Sequence, residues 1–237
     1  MAADYDYIAA AARLLREQGA EVPVALLAGP IFREYRSGYG LPIHPAPFVY
    51  GRMAGRTVAI VGDDAVLSVR VAGALGTRML VVGAAARGVH PRLRPGHLLV
   101  WTDHINATGT NPLTALDDPR LGPCFLDLGA PYDAALQAAA EAAATAKGLT
   151  AHRGVYLDAP GCLPGTNDDL RAMRMLGADA AGNGGVAEVI VGVQAGLKVL
   201  GLALVLEDPA STEAAATCLP SLVTVAERCI GLLEPCA

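Results

Sequence analysis

The sequence predicts an α/β fold with a mostly parallel sheet and helices on both faces. Three observations carry that expectation. Short apolar runs alternate with helical segments along the 237 residues, and each run is bounded by Gly, Pro or Asp. Most of these runs are continuously apolar, as strands covered on both sides are. The chain is 53% hydrophobic and only 17% charged, the composition of a well-buried globule. Its length suits one full-sized core, and a single domain over 1–237 is expected because no repeat or low-complexity linker interrupts it.

The elements follow in order. An amphipathic, acid-capped helix covers Tyr5–Glu17, and "VPVALLAG" makes a strand over Val22–Gly29. Pro30–Gly55 is rich in Pro and Gly and reads as a long irregular excursion. Strands at Thr57–Gly62, Arg78–Ala85, His97–Asp103 and Arg153–Ala159 are β-branched or Leu-rich. Helices are expected at Val69–Leu75, Asp133–Gly148 and Asn167–Leu176. A short run of small residues, Ala178–Gly182, leads into "NGG" and a helix from Val186 to Ala195. A last long strand, Lys198–Asp208, precedes two helical segments, Ser211–Ala216 and Val223–Leu233. Ligands gather at the carboxyl ends of strands in such sheets, which directs attention to Ala84–Arg87, Asp103–Asn111, Asn183–Gly185 and Glu207–Asp208.

Charge and cysteine usage narrow the function classes. The net charge is −5 and no basic run occurs, so nucleic acid is not an expected partner. Apolar stretches break well before the ~18 residues of a membrane span. The N-terminus lacks the cationic start and apolar centre of a secretion signal, so a soluble, cytoplasmic protein is expected. The five cysteines, Cys124, Cys162, Cys218, Cys229 and Cys236, show no CxxC pair and no zinc spacing; they read as free or buried thiols, with no metal and no cofactor implied.

"GADAAGNGGVAEVIVGVQAG" (Gly177–Gly196) poses a specific question. A strand there hands over to a helix through a bare turn carrying one amide, Asn183. Such junctions expose unpaired N–H groups at the positive end of a helix dipole and often bind anions; they are also often mere tight turns.

Two blocks carry a family likeness: "DHINATGTNPL" (Asp103–Leu113) and "GVYLDAPGCLPGTNDDLRAMRMLGADAAGNGGVAEVIVGVQAGLKVLGLALV" (Gly154–Val205). They resemble the trimeric purine nucleoside phosphorylases and their methylthioadenosine-cleaving relatives, most strongly from Met79 to Val205. The resemblance implies a mixed central sheet curling into a distorted barrel with helices on both faces. It implies a homotrimer with sites near subunit interfaces, a nucleoside-like small-molecule ligand, and attack of phosphate on C1′ of a purine nucleoside.

Residue by residue, the likeness also marks departures. The family's Gly-Ser-Gly loop reads "LAGPIF" (Leu27–Phe32), and its Arg- and His-bearing loop becomes "GDDAVLSVRV" (Gly62–Val71). The Met-Ser-Thr turn is Asn183-Gly184-Gly185. Charged hydrogen bonds are worth about 1.5–3 kcal/mol each, so losing several of these groups weakens phosphate by orders of magnitude. The backbone at Ala85 and Ala86 persists. Arg87 stands where the family has Gly and is a candidate substitute cation, whereas Arg70 reads as a helix-surface residue.

In the implied base pocket, Phe-Glu-Thr becomes Pro164-Gly165-Thr166, and Cys162 takes a position usually held by proline. Glu207, followed by Asp208, stands where the family has Asn or Asp. A half-buried Glu207 with its pKa raised can protonate or hydrogen-bond N7 of a leaving adenine-like base. Phe125 matches the aromatic that reaches into a neighbouring subunit's site, and Asn183, followed by Gly184 in the same substrate-binding turn, replaces the methionine that lies near the sugar in the family. His104 and Asn106 read as polar residues holding their loop.

Three readings stand open. The protein cleaves or transfers the N-glycosidic bond of an adenosine-like nucleoside, with phosphate weakly held or supplanted. Alternatively, the pocket serves different small-molecule chemistry, or the chain is a non-catalytic ligand-binding or structural homologue.

Overall fold

The computed structural model describes residues 5–17, 23, 25–28, 48–61, 64–114, 118–161, 166–209 and 212–232. The strands are β1 (Ala25–Ala28), β2 (Phe48–Met53), β3 (Arg56–Val61), β4 (Met79–Gly88), β5 (Leu98–Asn106), β6 (Ala151–Asp158), β7 (Ala180–Gly182) and β8 (Lys198–Val205). The helices are α1 (Tyr5–Glu17), α2 (Ala65–Leu75), α3 (Ala134–Ala146), α4 (Asn167–Met175), α5 (Val186–Gln194) and α6 (Thr212–Gly231), with a 3₁₀ turn at Pro119–Leu121.

The strand order is β2-β3-β1-β4-β7-β6-β5-β8, and β8 also pairs with β4. That extra pairing closes β4, β7, β6, β5 and β8 into a barrel, leaving β1, β3 and β2 as an open extension. The sheet is mixed as the family likeness implies: β4/β8, β5/β6 and β6/β7 are parallel, whereas β4/β7, β5/β8 and β2/β3 are antiparallel.

Strand periodicity assigns side chains to two layers. Leu80, Val82 and Ala84 of β4 pack with Val199 and Ala203 of β8 beneath α1, α2 and α5. Met79 and Val81, with Leu200, Leu202 and Leu204, pack on the opposite side against Leu136 of α3 and Leu222 and Val225 of α6. Each such leucine or valine contributes about 1.5–3 kcal/mol by leaving water.

Inside the barrel Trp101 stacks on Tyr156, with centroids 3.9 Å apart and planes 8° from parallel, and meets Tyr132 edge-on at 6.0 Å. Glycine makes room for this group. A Cβ at Gly201 would lie 2.5 Å from the indole, and one at Gly182 would lie 2.4 Å from the Tyr156 hydroxyl.

Three expectations need correction. Phe48–Met53 falls within the expected irregular excursion but forms β2, because Ala54 (φ 51) and Gly55 (φ 73) make a tight turn of the handedness that suits a hairpin. The remainder of that excursion, 30–47, lies outside the described residues. The two C-terminal segments are one helix, α6, running through Pro220; Thr224 Oγ1 donates to the Pro220 carbonyl at 2.9 Å. Arg70 is not on the surface but 6% exposed, inside α2. Its Nη2 reaches the Pro112 carbonyl at 3.4 Å, whereas Nε and Nη1 have no hydrogen-bond partner among the described residues. Burial lowers its pKa, opposed by the nearby Asp64 charge. It borders a cleft of about 450 Å³ between α1, α2 and α5 rather than the barrel mouth.

Gly201→Ala should destabilise the fold by about 1–3 kcal/mol, because the indole it would strike is enclosed by Tyr156 and Tyr132. Thermal denaturation checks this; an unchanged midpoint would show that the barrel interior has slack.

Candidate functional site

The register of the barrel brings several chain segments to one mouth. Ala86 of β4 pairs with Val205 of β8 on one side and with Gly182 of β7 on the other, and Gly182 in turn pairs with Asp158 of β6. Leu206 N–H donates to the Ala86 carbonyl at 2.8 Å, which carries the chain just past β8 along the same edge. Residues next to this row therefore lie within a few strand spacings of about 4.8 Å.

Of the residues singled out from sequence, this row gathers Ala85, Ala86 and Arg87, Asn183 and Gly184, and Glu207 and Asp208. Ala85 and Arg87 are half-buried, Ala86 is buried, and Asn183 is exposed. Glu207 and Asp208 are exposed, so Glu207 does not have the half-buried setting expected of it. Its strand ends at Val205, Leu206 is still buried, and Glu207 and Asp208 then turn outward into solvent.

Other candidates lie elsewhere or are engaged. Thr166 is the N-cap of α4: its hydroxyl oxygen accepts from Asp169 N–H at 3.1 Å and its O–H donates to the Asp169 carboxylate. Phe125 is 97% exposed, so its ring packs against almost nothing in its own chain. Cys162 lies outside the described residues. Cys124 is exposed, and burial pushes the Cys229 thiol up to about 12. His104 Nδ1 lies 2.9 Å from the Tyr132 hydroxyl, and burial lowers the His104 pKa. Asn106 closes its own turn through the Thr108 N–H and the Thr110 carbonyl. Among the described residues no cluster of three or more His, Cys, Asp or Glu side chains is placed to hold a metal ion.

The residue that sequence reading missed is Asp158, which is 2% exposed at the end of β6. One carboxylate oxygen accepts from Gly184 N–H at 2.6 Å and the other from Val186 N–H at 3.1 Å. It thereby caps α5, whose own N-cap residue, Gly185, offers no side chain. The bare "GNGG" turn is an anion seat of the helix-terminus kind, and an acid from another strand fills it. Tyr156 completes the arrangement by donating its O–H to the Gly184 carbonyl at 3.1 Å. Burial raises the Asp158 pKa, while its hydrogen bonds from Gly184 and Val186 oppose that shift. Burial also holds the Tyr156 hydroxyl well above its ordinary pKa, helped by the charges of Asp158 and Glu188. One signal in the sequence pointed here: a helix starting after three residues without a capping side chain other than an amide calls for an acceptor from elsewhere.

The phosphorylase superfamily pattern matches residues 33–235. Purine nucleoside phosphorylase 1 of Geobacillus stearothermophilus is 36% identical over 173 residues, covering 68% of this chain and 63% of the relative. The Bacillus subtilis protein of the same name is 40% identical over 137 residues, covering 58% and 51%. The matches thus span less than two thirds of these relatives. In fold, the chain is similar to schistosoma purine nucleoside phosphorylase in complex with hypoxanthine (TM-score 0.85, 22% identity, 99% of each chain). It is equally similar to a purine nucleoside phosphorylase solved with ribose-1-phosphate (TM-score 0.85, 22% identity, 100% of each chain). Among the described residues, no helix is long and apolar enough to cross a membrane.

A raised carboxyl pKa in the folded state means that the fold binds the Asp158 proton more tightly than the unfolded chain does. The ionised group therefore costs stability at neutral pH, and the cost is relieved as pH falls through its raised pKa toward the ordinary 3.8. Thermal denaturation of the wild type and Asp158→Asn between neutral pH and about pH 4 should show the wild type gaining on the variant as pH falls. A constant gap would contradict the burial-dominated shift.

Proposed function

This chain belongs to the phosphorylase superfamily, and from that premise we propose that it cleaves the N-glycosidic bond of an adenosine-like purine nucleoside at the barrel mouth. The observation that carries the reading is the row Val205, Ala86, Gly182 and Asp158, which draws the backbone at Ala85–Arg87, the Asn183–Gly184 turn and the Glu207 segment to one edge. Support also comes from the relatives, which are purine nucleoside phosphorylases by name.

Cleavage requires charge on the departing purine to be met by a donor and the sugar to be held in place. In this reading Glu207 meets N7 of the base, and the Asn183 carboxamide hydrogen-bonds a ribose hydroxyl. Arg87 supplies positive charge at the edge of β4. The exposed Phe125 ring suits a role in a homotrimer, where it closes a neighbouring subunit's pocket; left in water, an aromatic of that size forgoes about 1.5–3 kcal/mol of burial. Reaction within a single cytoplasmic domain, with no cofactor, is the expected setting.

The decisive measurement is base release from adenosine, methylthioadenosine, inosine and guanosine, with and without phosphate. Release from the adenine nucleosides is expected, and release from none of the four by folded protein would sink the reading in favour of other chemistry or a binding role. Glu207→Gln should reduce turnover by about 10²-fold or more while leaving the melting temperature unchanged. Phe125→Ala should raise KM more than it lowers kcat if the ring enters a neighbour's pocket.

A further inference from the structure

We propose that the cleft between α1, α2 and α5 is a second binding site, separate from the barrel mouth, which takes a small organic carboxylate on Arg70. The cleft encloses about 450 Å³, and Arg70 lines it although only 6% of the residue is exposed. A buried cation is costly unless an anion or directed acceptors meet its charge. Among the described residues Arg70 has no paired carboxylate. Its bond from Nη2 to the Pro112 carbonyl is long at 3.4 Å, and Nε and Nη1 have no partner. Asp64 acts on Arg70 through its charge, while its carboxylate caps α2 by accepting from Leu67 N–H at 2.9 Å.

The carbonyls nearest this cleft are engaged elsewhere. At the end of α2 the Ala74 carbonyl accepts from Arg16 Nη2 at 2.7 Å, and those of Ala72 and Gly73 accept from the N–H groups of Thr77 and Gly76. At the end of α5 the carbonyls of Val191, Gly192 and Val193 accept from Ala195, Leu197 and Gly196. Each closes a helix end instead of serving Arg70. The cations at the rim differ in the same respect. Arg120 is paired with Asp118 at 2.6 Å and with Asp6 at 2.9 Å, whereas Arg16 meets a backbone carbonyl in place of a carboxylate. Arg70 and Arg16 thus leave positive charge in the cleft that no described carboxylate pairs.

Much of the remaining wall is apolar and small, formed by Ile8, Ala9, Ala12, Gly73, Val191 and Ala195. A ligand that fits carries one anionic head for Arg70 and a compact apolar body for this wall. A carboxylate suits the head better than a phosphate, because a second negative charge would have to be desolvated against alanine and valine. The site lies apart from the proposed glycosidic chemistry: the mouth meets α5 at Val186, and the cleft meets it from Val191 onward.

The test is the melting temperature of the full chain titrated with acetate, isovalerate and benzoate against chloride at matched pH and ionic strength. Benzamide serves as the uncharged counterpart of benzoate. At least one carboxylate should give a saturable rise of a few degrees, and benzamide should give none. Arg70→Met replaces an unpaired buried cation with an apolar chain, so without ligand it should melt no lower than the wild type. It should also weaken the carboxylate response about tenfold or more. Ala9→Leu, which narrows the cleft and leaves Arg70 in place, should lose the response as well. No saturable rise with any of the three carboxylates, an equal rise with benzamide, or a response that survives either substitution would overturn the proposal. So would a marked loss of stability in Arg70→Met, because Arg70 would then be satisfied within the fold. The readout needs no turnover, so failure of base release counts against the glycosidic-bond reading alone.

Discussion

The stacked pair of Trp101 and Tyr156 is the contact on which the barrel and its mouth both depend. The indole fills the interior between β5, β6 and β8, and Gly201 and Gly185 lie so close to it that neither has room for a Cβ. Tyr156 extends the same packing to the turn after β7, where its hydroxyl holds the Gly184 carbonyl. An apolar plug thus sets the position of a polar turn. The indole Nε1 is buried without a partner among the described residues, so packing and stacking outweigh one unsatisfied donor whose loss is worth about 1–3 kcal/mol.

The second constraint is electrostatic. An acid buried to this degree costs free energy unless its charge is met by directed donors, and Asp158 meets two amides at the positive end of α5. The same interaction supplies the cap that Gly185 cannot. One side chain therefore resolves two deficits, a helix start without a cap and a buried carboxylate without a cation. Burial still outweighs those two bonds, so the turn keeps a residual cost while the carboxylate is ionised.

Much of the architecture was legible because apolar alternation is local. The strands of the barrel and the helices α3, α4 and α5 follow from runs of Val, Leu and Ala and from Gly at their ends. β2 was not legible, since its pairing is set by the Ala54–Gly55 turn rather than by its own mixed composition. The continuity of α6 through Pro220 was hidden by the rule that proline ends helices, which packing of Leu222, Val225 and Ile230 against the sheet overrides here. The grouping of Ala85–Arg87, the Asn183 turn and Glu207 came from family likeness and not from periodicity. Asp158 escaped notice because its partners lie 26 and 28 residues downstream, beyond the reach of any capping pattern. Arg70 was misplaced because an arginine on a short helix says nothing of what covers it.

The capping of α5 by a residue of β6 also has a mechanical consequence. A helix capped by its own preceding residue can fray one turn at a time, with little effect on its neighbours. Here the first turn of α5 cannot open unless the Asp158 carboxylate lets go, and Asp158 is itself clamped in the ladder between β5 and β7. The turn, the helix start and the end of β6 thus form one cooperative opening unit. The floor of the mouth is thereby tied together as one plate, its helix start and strand end opening only as a pair.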